Sequence, residues 1–225
     1  MQTEKHLRQP LIKLRARLLV MCQAVSVALD NAGRALLDNN YALAESVLEG
    51  DAAIDALEDE IDEMSLAILA LNQPVAKDLR FVVSALRMVI DLERIGDEAV
   101  VLAERVIFAS SGNGVLLLPE EGIALLHKSR HYYEKAIQAF KREDCKAISH
   151  MFDEDLESTQ AEVAVLQKVL QEASVQDPSV ILQVMLVARA LNRIWRRSGN
   201  IVEHAWFVCR GESIKHRRLR AATWE

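Results

Sequence analysis

The stretch LERIGDEAVVLAE, Leu92 to Glu104, decides the fold once it is set beside LNRIWRRSGNIVE, Leu191 to Glu203, with which it aligns without a gap. The first belongs to an unbroken apolar stripe of Phe81, Ala85, Met88, Leu92, Ile95, Ala99, Leu102 and Val106, in steps of three and four. That spacing is the face of a helix packed against neighbours and not the alternation of a strand.

Working outward, a heptad through Leu11, Leu14, Leu18, Met21, Val25, Ala28, Ala32 and Ala35 predicts a helix over about 9–38. A turn at Asp38, Asn39 and Asn40 leads to a second helix from Tyr41 to Leu71, with a seam of Ile54, Leu57, Ile61, Met64 and Ile68. Pro74 sits at a plausible first position of the third helix, which runs to Ala109. After the loop Ser111, Gly112, Asn113 and Gly114 the plan repeats: a helix over 119–142, a turn at Glu143 and Asp144, a long helix to 173, a break at Gln176, Asp177 and Pro178, and a last helix to 213. The expectation is an all-α chain of six helices in two tandem three-helix halves. Its parts are 1–110, a linker 111–118, a second half 119–214 and a basic tail 215–225.

Composition agrees with helix: among 225 residues there are four Pro, eight Gly and 5% aromatic residues. The net charge is −6 with both signs interspersed, so there is no broad basic face and generic nucleic-acid binding is excluded. Lys215, His216, Arg217, Arg218 and Arg220 crowd the tail, read first as a solvated helix end. Cys22, Cys145 and Cys209 are odd in number and lack CxxC spacing, which predicts free thiols in a reducing, cytoplasmic setting. The uncharged run from Leu18 to Leu29 is too short to span a bilayer.

The polar faces carry the chemistry. Asp51, Asp55, Glu58 and Asp62 follow one another at steps of four, three and four. At about 100° per residue they lie within roughly a 60° arc beside the apolar seam. Glu93 and Asp97 are spaced i, i+4 on the third helix, with Glu93 in line with Leu86 and Val100. Carboxylates next to a packing stripe need hydrogen bonds, a cationic partner or a metal, and oxygen donors from two helices suit hard or borderline cations. The competing reading is a solvated acidic face with Arg94 and Arg105 as counterions.

Three motifs in order, GDAAIDALEDEID (50–62), QPVAKDLR (73–80) and LERIGDEA (92–99), resemble the first repeat of the PhoU family of phosphate-transport regulators. ARALNRI, GNIVEH and the closing WFVCRGESIKHR resemble its second repeat. The resemblance implies two three-helix bundles about a pseudo-two-fold, with acidic D/ExxxD motifs that bind a metal cluster. By position these are Asp51 with Asp55 and Glu93 with Asp97, with Glu58 and Asp62 as further candidates. The implied cofactor is a divalent or trivalent cation: iron, zinc, manganese or magnesium. The implied role is an adaptor that negatively regulates phosphate uptake and starvation signalling, linking the ATPase of a phosphate ABC transporter to a sensor histidine kinase. A homodimer is implied too, with membrane association at most peripheral, through its partners.

The second repeat departs from the pattern. Asn192 stands opposite Glu93, Trp195 opposite Gly96, Arg196 opposite Asp97 and Thr159 opposite Asp55, leaving Asp155 and Glu162 as acids. A second metal site is therefore doubtful. The expectation is that Arg196 supplies the positive charge there, paired with Asp155 or Glu162, with a solvent-directed Arg196 as the alternative. His127, His131 and Glu134 read as a surface cluster more readily than as a metal site. A ferritin-like di-metal oxidase would need Glu-x-x-His motifs that the acidic segments lack, so the sequence reads as a regulator and not an enzyme. A divergent paralogue serving another transporter is the runner-up.

Overall fold

The computed structural model describes residues 2–111, 115–154, 157–172 and 177–212. Among them lie seven helices: α1 (Gln2–Asp38), α2 (Tyr41–Asn72), α3 (Ala76–Ser111), α4 (Glu120–Arg142), α5 (Cys145–Glu154), α6 (Glu157–Glu172) and α7 (Pro178–Arg210). The apolar stripes became the core: Leu14, Leu18, Met21, Val25, Ile61, Met88, Leu92, Ile95 and Ala99 are all fully buried.

The count corrects the expectation of six. The single helix predicted between Asp144 and residue 173 is two, α5 and α6. Positions 155–156, between them, lie outside the described residues.

Side chains fix the other ends. Asn40 caps α2 by accepting from Leu43 N at 3.1 Å, Asp144 accepts from Lys146 N and Ala147 N at 3.0 and 3.1 Å, and Asp177 accepts from Ser179 N at 2.7 Å ahead of Pro178. Gln73 ends α2 in the left-handed region and α3 begins at Ala76, so Pro74 precedes the third helix instead of opening it. At the other end of the chain, α1 starts before residue 9 and runs through Pro10, while α7 stops at Arg210 with Gly211 at φ 77°. The basic tail 215–225 lies outside the described residues, as do 112–114 of the linker.

Helices α1, α2 and α3 pack on one another, and α7 packs on α4, α5 and α6. The long contact of α3 with α7 joins the two groups. Helices α1 and α4 meet through Tyr133, whose Oη donates to Cys22 O at 2.8 Å, and through an ion pair of Arg130 with Asp30. Asn39 holds the linker by exchanging two hydrogen bonds with the backbone of Leu116, at 2.9 and 3.2 Å. Cys145 and Cys209 are joined as a disulfide and Cys22 is free and buried, which corrects the expectation of three free thiols. No helix among the described residues is long and apolar enough to cross a membrane.

Candidate functional site

On α2 the acids flank buried Ile54, Leu57 and Ile61; on α3 Glu93 and Asp97 flank buried Leu92 and Ile95. Helix geometry thus turns both acidic sets toward the α2–α3 seam. Gly96 lets the helices close there. A Cβ at that position would lie 3.1 Å from Ile54 Cδ1 and 4.0 Å from Asp51 Oδ1.

The protonation behaviour reads out the crowding. Glu93 is pushed up to about 7, first by partial burial and then by the charges of Asp97 and Glu58 and a hydrogen bond to Asp97, against the pull of Arg94. Asp51 is raised by partial burial and by Asp55 and Asp97. Glu58 is raised by partial burial and by Asp62, Asp55, Asp59 and Asp97. Asp51, Asp55, Glu58, Glu93 and Asp97 therefore share one negative field spanning both helices, which Asp62 joins through Glu58. Asp62 is raised by partial burial and by Asp59, on its own helix, so it sits at the margin. A proton on Glu93, bonded to Asp97, relieves part of the repulsion that a cation would relieve.

Among the described residues no group of three or more His, Cys, Asp or Glu is drawn together closely enough to hold a metal. The donor set, all carboxylate oxygen, suits a hard or borderline cation. His127, His131 and Glu134 are exposed along α4. Of the counterions in the solvated reading, Arg94 acts on Glu93, whereas Arg105 turns to Glu104 at 2.8 Å and to Gln183 at 3.3 Å.

In the second half Asn192 is buried and its Nδ2 donates to Glu162. Trp195 is buried and stacks on Tyr132 with centroids 5.3 Å apart, whereas at the matching position of the first half Gly96 leaves no such space, Ile54 Cδ1 lying 3.1 Å from where its Cβ would be. Thr159 and Arg196 are exposed, and Arg196 makes no ion pair with Glu162. Asp155 lies outside the described residues.

The cations that neutralise buried acids are Arg193 and Arg197, and the acids belong to α3. Arg193 Nε lies 2.6 Å from Glu98 Oε1. Buried Asp91 accepts from Arg197 Nη1 at 3.1 Å and Asn200 Nδ2 at 2.9 Å, with His204 Nε2 at 3.3 Å. Burial raises the Asp91 carboxyl, but its contacts with His204, Asn200 and Arg197 outweigh that and hold it below the usual range. This seam was missed in the sequence, although its signal is there: Ser84, Asp91, Glu98 and Arg105 recur at every seventh residue.

The architecture, with its acidic α2–α3 seam and its altered counterpart, has known relatives. The PhoU domain family model matches residues 18–106, the half that keeps the carboxylates. The phosphate-specific transport system accessory protein PhoU homolog of Pseudomonas putida is 33% identical over 95% of this chain and 84% of its own length. The Escherichia coli K12 accessory protein PhoU is 29% identical over 90% of this chain and 85% of its own length. The crystal structure of PhoU from Pseudomonas aeruginosa superposes with a TM-score of 0.81 at 31% identity, over 91% of this chain and 99% of that one. The regulatory protein PhoU from Streptococcus pneumoniae shares the fold, with a TM-score of 0.84 at 23% identity over 93% and 99% of the two chains. With 33% identity to a relative over 95% of its length, this chain belongs to the PhoU family.

Proposed function

We propose that this protein regulates phosphate uptake and the response to phosphate starvation as a non-catalytic, metal-binding adaptor. Family membership supports the role in phosphate regulation. The observation that carries the metal is the shared field of Asp51, Asp55, Glu58, Glu93 and Asp97, three of them raised by charges from both helices. Asp51, Asp55, Glu93 and Asp97 would hold the cation, with Glu58 and Asp62 in support, and the bound charge would neutralise the seam and draw α2 and α3 together. The partners in this reading are the ATPase of a phosphate ABC transporter and a sensor histidine kinase, met by a homodimer in the cytoplasm.

Metal analysis of the purified protein, after equilibration with iron, zinc, manganese or magnesium, tests the site. Retention by wild type and loss in Asp97→Asn is the expected result, and equal metal content in both removes the cation from the reading. Deleting the gene tests the role: starvation genes should be derepressed. Capture from phosphate-replete cells should recover the transporter ATPase and the kinase.

A second reading, a divergent paralogue regulating another transporter, is favoured by the exchange of Glu93, Gly96 and Asp97 for Asn192, Trp195 and Arg196 in the second half. Capture of a different transporter's ATPase would select it.

A further inference from the structure

We infer that Cys145 and Cys209 form a reversible thiol–disulfide site, a latch that a small thiol opens and a small disulfide closes, holding the start of α5 on the last turn of α7. Their Cα atoms are 6.2 Å apart, within the span a disulfide bridges, although 64 positions separate them in sequence. Both cysteines are only half-buried, so a small thiol can reach the bond. Cys22 is the contrast: it is fully enclosed and burial pushes its thiol up to about 12, which keeps it out of exchange.

The setting of Cys145 favours exchange. It is the first residue of α5, where the positive end of the helix dipole favours the thiolate that leaves when the bond opens, although the N–H groups of Lys146 and Ala147 are already taken by Asp144. The backbone around it is already anchored. Two residues earlier Glu143, in the left-handed region, pairs with Arg15 of α1 and with Lys77 of α3. Two residues after Cys209, Gly211 lies against Arg80, whose Cζ would be 3.4 Å from a Cβ placed there. The bond thus closes a corner at which α1, α3, the α4–α5 turn and the end of α7 converge.

Helix α5 is the element with most to lose. It has 10 residues, too few to persist alone in water, and its fully buried side chains are Ile148 and Met151. With the disulfide closed, its first turn is fixed to α7; with it open, α5 keeps those apolar contacts, the Asp144 cap, the hydrogen bond from Tyr132 Oη to Met151 O at 3.0 Å and the edge contact of Phe152 with Trp206, but loses its one covalent tie to α7.

The exchange balances with a low-molecular-weight thiol as reductant. Its thiolate attacks one protein sulfur, the S–S bond breaks, and the electron pair leaves on the other cysteine, which takes a proton. A second small thiol displaces the mixed disulfide. Two protein thiols and one small disulfide result, and the reverse reaction reoxidises the protein.

The test uses the full chain equilibrated with reduced and oxidised glutathione in ratios from fully reducing to fully oxidising, approached from both directions. Acid-quenched alkylation should show Cys145 and Cys209 passing together and reversibly between linked and modified forms. Reduction should lower the melting temperature by about 5–10 °C and raise amide exchange in residues 145–154 while α3 stays protected. Cys145→Ser should show the reduced-state exchange in every mixture, and Cys209→Ser gives the same readout should the first variant fold poorly. The proposal is overturned if the two cysteines stay linked in the most reducing mixture, stay unlinked in the most oxidising one, or exchange without any change in α5.

Discussion

Arg197 of α7 donates its Nη1 to Oδ1 of Asp91 on α3 at 3.1 Å, inside the contact that joins the two halves of the molecule. Asp91 is 6% exposed, so its loss would leave Arg197, Asn200 and His204 without the buried acceptor they share. Asp91→Ala is expected to cost about 3 kcal/mol, seen as a lower urea midpoint at neutral pH. The pH dependence has a definite sign. Because the native carboxyl is held below its unfolded value, its stabilisation is complete above that value and fades as pH falls through the lowered one. The gap between wild type and Asp91→Asn should therefore narrow in acid. A gap of the same size at neutral and strongly acid pH would contradict this assignment.

Glu93 has the opposite sign. Its native carboxyl titrates at about 7, above the ordinary glutamate value, so in the metal-free protein its protonated form favours the fold. Stability from this group is complete below the unfolded value and is lost as pH rises toward 7 and beyond. Glu93→Gln, which mimics the protonated acid, should stabilise the metal-free protein by about 1 kcal/mol in mild alkali, after discounting for solvent screening. In acid the difference should vanish. Thermal melts at the two pH values check it, and a variant less stable than wild type in alkali would remove the repulsion argument.

Gly96 is where α3 comes nearest α2. Gly96→Ala gains helix propensity of about 1 kcal/mol but brings its Cβ to 3.1 Å from Ile54 Cδ1, the mobile end of a side chain. The two effects should nearly cancel. Gly96→Leu cannot be absorbed in the same way and should cost about 1–3 kcal/mol through overpacking. Paired denaturation curves separate the cases, and equal stabilities for the Ala and Leu variants would show that the seam is looser than its geometry.

Trp195, in the equivalent place, is already packed. Trp195→Ala should cost about 3–5 kcal/mol, because it empties a site that is 3% exposed and removes the stack on Tyr132. Trp195→Gly should be at least as destabilising and should create no metal site, since Asn192 and Arg196 remain. Stoichiometric extra metal in that variant would show that the glycine alone decides binding.

Much of this was legible along the chain. The stripes through Leu14–Ala35, Ile54–Ile68 and Phe81–Val106 became core because helical period dictates which residues share a face. The same period put Asp51, Asp55, Glu58, Glu93 and Asp97 beside the seam. The cross-half pairs were harder. The every-seventh-residue recurrence of Ser84, Asp91, Glu98 and Arg105 marks a polar line on α3, but a line on one helix does not name its partner. Arg193, Arg196 and Arg197 are near neighbours in sequence; the first and last meet α3 while the middle one is exposed. At about 100° per residue, one or two positions change the face entirely.

By itself the sequence determined that the protein is helical, where its apolar faces lie and which segments carry the carboxylates, since each of these depends on local geometry and residue identity. Only the tertiary structure decided that Cys145 meets Cys209, and that Arg193 and Arg197 serve Glu98 and Asp91. Those outcomes depend on the antiparallel register of α3 against α7 and on where helix ends converge. Packing of whole faces sets both, and no local pattern encodes them.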